Sequence, residues 1–248
     1  MRNFVSHCCR LLVVVALLVF CMQCFAQGNI RTVLLVKVKM GHDDSWKAAV
    51  RDYVAMVKKA GSEQQFTVWD SQSGPMLHAV VWYSAKWKEL GEENPKLKGS
   101  EAEIATLFRR LDADTENLET WIDEMQPELM IRSKEIPPYV RTGRTRVLSG
   151  KIDEFKMLLR DQIVPALKKA GATDYGVAQA RFGTPSNEFH SYLGMNGWAD
   201  FDAPIGAEKG MTAAEWKAFQ AKVSPLIEST QWDLWKYEPD LSYLVPAK

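Results

Sequence analysis

The sequence predicts an α+β protein of two successive units, each running strand, helix, strand, strand, helix, strand, and three observations carry that prediction. The tetrapeptide KKAG occurs at Lys58 to Gly61 and again at Lys168 to Gly171, an offset of 110. The segments SEAEI (Ser100 to Ile104) and TAAEW (Thr212 to Trp216) are both capping-box openings, a hydroxyl residue followed three later by Glu, at an offset of 112. QPELM (Gln126 to Met130) and EPDLS (Glu238 to Ser242) stand at the same 112. One KKAG alone is an ordinary helix ending, because Gly supplies a left-handed residue past the last turn and Lys suits the negative end of the helix dipole. Company at a nearly fixed offset argues for a tandem duplication: Gly41/Gly150, Trp46/Phe155, Val50/Leu159, Arg51/Arg160 and Asp52/Asp161 extend it at 109.

In the first unit, VLLVKVKM (Val33 to Met40) alternates towards its end and reads as a strand. The helix that follows puts Trp46, Val50, Val54 and Val57 on one face, with Asp43 or Asp44 near its start and Gly61 closing it. QFTVWDS (Gln65 to Ser71) and MLHAVVWY (Met76 to Tyr83) are strands joined through the turn signal SGP. KWKELGEEN, the charged surface loop EENPKLKGSE and a capped helix from about Ser100 lead to a short segment before Pro127. His42 lies in the loop GHDD, exposed or capping.

The second unit repeats the order with RTRVL, a helix from about Ile152 to Ala170, DYGVAQARF, EFHSYLG, WADFDA, a capped helix from Thr212 and DLWKYE. The offset rises from 109 to 110 inside the first helix, where the second copy carries Pro165. Pro removes a backbone donor and clashes with the preceding turn, so an irregular helix is expected near Pro165 and a smooth one near Met56. IPPY (Ile136 to Tyr139) is the expected junction, giving units 27–136 and 137–248.

The first 26 residues read as a signal peptide: Arg2 and Arg10 without an acid, the apolar run Leu11 to Phe20, and small Ala26 before the expected cut. Export to the periplasm or to the exterior follows as an expectation, with no membrane attachment after cleavage. All four cysteines (Cys8, Cys9, Cys21, Cys24) lie in that segment. The remainder then has no disulfide, thiolate nucleophile or Cys-ligated metal, and a core must hold it together. Removing Arg2 and Arg10 leaves 29 Lys and Arg against 31 Asp and Glu, which argues against nucleic acid as a partner.

The helix ending KKAG with the strand after it, the turn FGTPSNE and the tail WKYEPDLSY resemble the dimeric α/β-barrel superfamily, with NIPSNAP-like and antibiotic-monooxygenase-like members the most similar. The resemblance implies two ferredoxin-like repeats fused in one chain, their sheets face to face around a cavity and their helices outside. Its members include cofactor-free oxygenases, haem-degrading and haem-dependent enzymes and isomerases, and no catalytic motif of any of them is matched here residue for residue. Fusion makes a monomer sufficient for the barrel and leaves a homodimer open.

Strand alternation nominates the cavity wall. If the polar rows face inward, the second unit presents Arg144, Arg146, Gln179, Arg181, His190 and Tyr192, with the small row Gly176, Ala178, Ala180 and Phe182 lying under helices. The first unit offers His78 and Trp82, with Trp69 nearby, and His78 pairs with His190 at 112 as its pseudo-symmetric counterpart. A cationic wall and an aromatic floor suit an anionic, partly aromatic small molecule. No HExxH or His/carboxylate ligand spacing is present, so no intrinsic metal site is expected. No cofactor is required; a haem would need one cavity-facing histidine, which His78 or His190 could supply. Three readings follow: a small-molecule binder, a cofactor-free oxygenase or isomerase using His190 or His78 for proton transfer and Arg181 for charge stabilisation, and a structural envelope module with a filled barrel.

Overall fold

The computed structural model describes residues 29–91, 101–133 and 135–245. The expected signal peptide with its four cysteines, the 92–100 loop and the Ser100 cap lie outside the described residues. The first unit comprises β1 (Ile30–Val38), α1 (Asp43–Lys59), β2 (Phe66–Ser71), β3 (His78–Ser84), α2 (Glu101–Asp114) and β4 (Thr115–Met125). The second comprises β5 (Tyr139–Val147), α3 (Ile152–Leu158), a π-helical turn (Leu159–Ile163), α4 (Val164–Lys169), β6 (Tyr175–Phe182), β7 (Glu188–Met195), α5 (Ala213–Val223) and β8 (Ile227–Tyr237). Short 3₁₀ turns at Trp87–Gly91 and Trp198–Asp202 precede the second helix of each unit.

All eight strands pair antiparallel and close in the order β1-β3-β2-β8-β5-β7-β6-β4. Each unit contributes one four-stranded sheet, β4-β1-β3-β2 and β8-β5-β7-β6. The sheets join edge to edge through β2–β8, where Trp69 faces Tyr237, and through β4–β6, where Asp123 faces Ala180. Closure leaves neither sheet with a wholly open edge strand among the described residues, although residues 115–121 of β4 and 227–233 of β8 are paired on one side only.

Helices pack on the outer face. In the first unit Trp46 and Val50 of α1 meet Val36, Val68 and Leu241. In the second, Phe155, Leu159 and Leu167 meet Val147, Val177 and Phe189. Both KKAG copies end their helices alike. Gly61 and Gly171 take positive φ (63° and 79°), and the residues after them, Ser62 and Ala172, donate back to Val57 and Leu167. The Thr212–Glu215 capping box forms as read.

The Pro165 expectation holds: α1 runs unbroken over Asp43–Lys59, whereas its counterpart contains a π turn immediately before Pro165. One extra residue in the helix is absorbed there, which keeps Phe155 and Leu159 on the same buried face as Val164 and Leu167.

Two strands exceed their sequence signal. The short segment expected before Pro127 is β4, of 11 residues, and β8 begins at Ile227 rather than near Asp233. Both open with exposed residues on either face, polar apart from Leu118 and Trp232 in the exposed run, and burial begins only at Trp121 in β4 and at Leu234 in β8.

The π turn has a measurable consequence. Deleting Asp161 from it should leave a regular helix and change stability by about 1 kcal/mol or less. Deleting the corresponding Asp52 from α1 rotates Met56 and Val57 out of the core and should cost about 3 kcal/mol or more; urea denaturation of both variants compares them.

Candidate functional site

Inside the barrel the inward rows begin from paired residues. Val33 faces Val81 on one side and Trp121 on the other, and Thr142 faces Tyr192. Trp69, Ala79, Val140 and Trp235 complete an apolar inner cluster. These side chains do not fill the barrel: they wall a cavity of about 740 Å³. At the end where β1 and β5 start, Arg132, Glu135, Ile136, Pro137 and Asp174 border it.

One wall carries a chain of buried charges. Arg31 of β1 grips Asp123 of β4 through Nε at 3.0 Å and again through Nη2. Both Asp123 oxygens lie 3.0 Å from His190 Nδ1, and His190 Nε2 lies 2.8 Å from Glu188 Oε1. Arg144 donates to the same Glu188 oxygen at 3.1 and 3.3 Å. Asp123, His190 and Glu188 are 0, 4 and 5 % exposed, so none of them can turn to solvent instead. Burial alone would push Asp123 up, but Arg31 and His190 overcome it and hold its carboxyl below the usual carboxylate range. The His190 hydrogen bond, aided by Arg144, lowers Glu188 to about 2 against its own burial.

Of the nominated residues the structure brings Arg144, His190, Tyr192 and Trp69 to the cavity. The others stand elsewhere. His78 lies on the outer face of β3, stacked on Trp46 of α1 with ring centroids 4.3 Å apart and bonded to Asp70 (2.6 Å) and Asp43 (2.7 Å). Trp82 shares that outer row by alternation. The structural offset between β3 and β7 is 111, since Val81 and Tyr192 occupy equivalent places, so the counterpart of His78 is Phe189 and not His190. Phe189 packs on Phe155 as His78 packs on Trp46.

The faces of β6 are inverted relative to expectation. Ala178 and Gly176 pair with His190 and Tyr192 and point inward; a Cβ on Gly176 would sit 2.5 Å from the Tyr192 ring. Small residues are needed there because the neighbouring rings lie across them. Gln179 and Arg181 therefore face outward, Gln179 donating to the Ser186 carbonyl at 2.9 Å and Arg181 paired with Glu124. Arg146 sits beyond the cavity beside Glu188 (3.5 Å) and Glu228 (4.0 Å). Trp232 of β8 is 51 % exposed, under the Arg141 guanidinium. The cationic wall is thus largely neutralised: Arg31 and Arg144 reach the cavity already paired with carboxylates, and Arg132 stands at its border.

Sequence reasoning passed over Arg31, Asp123, Trp121 and Asp174. Asp174 sits just before β6 at the cavity rim, where burial raises its carboxyl to about 6 despite a hydrogen bond from the Ser133 backbone. Tyr83 and Tyr192 line the cavity too and are held protonated by burial. A carboxyl that titrates near neutrality at a cavity mouth can exchange a proton with a bound molecule.

The same geometry tests the haem expectation. His190 has both nitrogens committed to carboxylates, His78 is outside the barrel with both of its own committed, and His42 is bonded to Asp114. Among the described residues no histidine presents a free nitrogen to the cavity, so the residues present do not fit a histidine-ligated haem. No group of three or more His, Cys, Asp or Glu suited to a metal ion occurs among them either.

No protein-family model matches the chain, and no curated protein does. Solved structures do match. A candidate monooxygenase from Fusobacterium nucleatum is 13% identical with a TM-score of 0.62, over 86% of this chain and 94% of its own. A chlorite dismutase from Candidatus Nitrospira defluvii is 11% identical with a TM-score of 0.54, over 88% and 94%. A haem-binding protein from Thermus thermophilus is 10% identical with a TM-score of 0.51, over 86% and 92%. Each match runs across both units, so the chain shares the eight-stranded α+β barrel fold of monooxygenase-like and chlorite-dismutase-like proteins. At these identities the likeness shows fold, and chemistry has to be argued from the residues.

Two substitutions probe the electrostatics. Asp123→Asn leaves Arg31 and His190 facing each other without their shared carboxylate and should cost about 3–5 kcal/mol at pH 7 by denaturant titration. Asp174→Asn should act in the opposite sense. Its folded value of about 6 lies above the ordinary 3.8, so ionised Asp174 penalises the fold fully above pH 6 and not at all below about pH 4. The Asn variant should melt higher than the wild type at pH 8, and the two should converge as pH falls through that window.

Proposed function

We propose that the protein binds a small, largely aromatic molecule inside the barrel. The cavity carries this reading: about 740 Å³, walled by Trp69, Trp121 and Trp235 among Val33, Val81 and Val140, where ligand pockets are typically about 300–1,000 Å³ and mostly apolar. Flat rings can be sandwiched by such a wall. Because Arg31 and Arg144 are already neutralised, we favour an uncharged ligand over the anionic one that the arginine rows suggested.

A second reading, an enzyme of the oxygenase or isomerase type, is favoured by Asp174. His190 has no nitrogen left for a ligand and His78 is outside the barrel, so proton transfer falls to the rim carboxyl that titrates near pH 6. The haem carried by the Thermus neighbour does not transfer to this reading, for the histidine geometry already given.

We further infer that units 27–136 and 137–248 arose by duplication, supported by the matched helix endings and the repeated strand pairing. Nearer kinship with NIPSNAP-like proteins rests on the KKAG and WKYEPDLSY motifs. Export of residues 27–248 rests on the composition of residues 1–26, and a monomer is sufficient for the closed barrel.

Tryptophan fluorescence titration and native mass spectrometry of residues 27–248 with 2-naphthol, 2-naphthoate and haemin test the reading. 2-Naphthol should bind, and more tightly than 2-naphthoate. Val81→Trp, which puts a large ring into the cavity from its wall, should weaken binding at least tenfold while leaving the melting temperature within a few degrees. Absence of any aromatic adduct in the wild type overturns the proposal. Turnover of a bound compound that rises with pH through about 6 and disappears in Asp174→Asn would promote the enzyme reading.

A further inference from the structure

At the end of the cavity where β1 and β5 start, two polar groups stand in the wall, and two glycines make room for them. Tyr192 of β7 points inward with its ring laid across Gly176 of β6, where a Cβ would stand 2.5 Å from Cε1 and 2.7 Å from Oη. Met125, Ala178, Tyr83 and Met130 belong to the same cluster as that ring. Asp174 precedes β6, and its carbonyl accepts from the Gly194 amide at 2.9 Å. It thereby extends the β6 row and shares the inward face of Gly176 and Ala178. A Cβ on Gly194 would stand 3.0 Å from Asp174 Cβ and crowd the carboxyl.

Both groups are open to the cavity. The side-chain polar atoms sealed without a partner among the described residues are Thr32 Oγ1, Trp121 Nε1, Arg146 Nε and Thr184 Oγ1. Tyr192 Oη is not one of them, and it makes no hydrogen bond among those residues either, so it keeps some surface. The space that the Tyr192 side chain borders is the cavity. Asp174 lines the same cavity, with one hydrogen bond, from the Ser133 backbone, and no ion pair among the described residues. Burial keeps the Tyr192 hydroxyl protonated, so it is a donor, and the charges of Asp174, Arg31 and Arg132 all reach it. Ionised, Asp174 is an acceptor. A donor and an acceptor therefore look into one end of an otherwise aromatic space.

We propose that Tyr192 and Asp174 read a cyclic-amide edge on the cavity ligand, the Tyr192 hydroxyl donating to its carbonyl oxygen and the Asp174 carboxylate accepting from its ring N–H. This deepens the binding reading and rests on it. Spacing favours an edge of two atoms over a single hydroxyl. Asp174 lies two residues along the strand face from Gly176, roughly 6.6 Å, and the Tyr192 hydroxyl lies over Gly176. One oxygen making two hydrogen bonds of about 2.8 Å spans at most about 5.6 Å. A carbonyl and an N–H side by side on a ring reach both. The Arg31 and Arg132 charges favour the partial negative charge of the carbonyl oxygen beside Tyr192. The aryl body of the ligand lies among Trp69, Trp121 and Trp235.

Three flat bicyclic probes separate the two contacts: 2-quinolinone, with both carbonyl and N–H; coumarin, in which a ring oxygen replaces the N–H; and naphthalene, with neither. Equilibrium dialysis is run at pH 8, above the value of about 6 at which Asp174 titrates. The wild type, residues 27–248, should bind 2-quinolinone about tenfold more tightly than coumarin, the size expected for one hydrogen bond made against one lost. Asp174→Ala should erase that preference. Tyr192→Phe should keep it, weaken both carbonyl compounds about tenfold and leave naphthalene within about twofold. Both variants should fold, since the Tyr192 hydroxyl bonds nothing within the described residues and ionised Asp174 opposes folding at this pH. Should either fail to fold, the wild-type ratio decides. Equal wild-type affinity for 2-quinolinone and coumarin, a preference that survives Asp174→Ala, or a 2-quinolinone affinity unmoved by Tyr192→Phe overturns the cyclic-amide assignment and leaves the binding reading standing. Binding of none of the three overturns both.

Discussion

The buried chain Arg31–Asp123–His190–Glu188–Arg144 is the constraint from which the barrel's character follows. Asp123 belongs to the first unit and His190 to the second, so their contact crosses the β4–β6 seam that closes the barrel. Burying Arg31, Asp123, His190 and Glu188 is tolerable only because each finds a partner at hydrogen-bond distance, with half-buried Arg144 ending the chain, and removing one partner strands the rest. An apolar seam would bury as much area without fixing register. Polar partners at set positions along β1, β4, β7 and β5 are satisfied in one register only, because a shift of one residue would turn every one of them to the other face.

That same period of two explains what could be read from the sequence and what could not. Element order, the glycine-capped helix endings, the Thr212–Glu215 box and the irregularity before Pro165 are local features, written in neighbouring residues, and they were legible. The facing of rows depends on a neighbour strand. His78 and His190 stand 112 apart, but the equivalent positions of β3 and β7 stand 111 apart, and the single residue of difference puts one histidine under a helix and the other in the cavity. On β6 the small residues look suited to lie beneath helices; they face inward because Tyr192 and His190 of β7 occupy the space above them. β4 was hidden because its first half is exposed on both sides, which erases the alternation a strand is recognised by, and with it went Trp121 and Asp123.

The two histidines show how similar chemistry can have different uses. Each has both ring nitrogens on carboxylates and a flat ring against a tryptophan, His78 with Trp46 and His190 with Trp121. One fastens α1 to its sheet, and the other fastens unit to unit. Neither is built as a ligand-facing group, although histidine is the residue a sequence search for acid–base chemistry finds first.

The groups left over from this structural use are the ones a ligand would meet. Saturating Arg31, Arg144, Asp123, Glu188 and His190 against one another removes most of the wall's charge from the cavity and leaves an aromatic interior. A proton-exchanging carboxyl on Asp174 stands at its rim. A wall so neutralised gains little from a bare carboxylate or ammonium and more from a flat apolar body. Protonated below pH 6 the rim carboxyl can donate to an entering molecule, and ionised above it can accept. Stability and recognition are thereby assigned to different residues of one wall. That separation lets the seam stay locked while the cavity exchanges its contents.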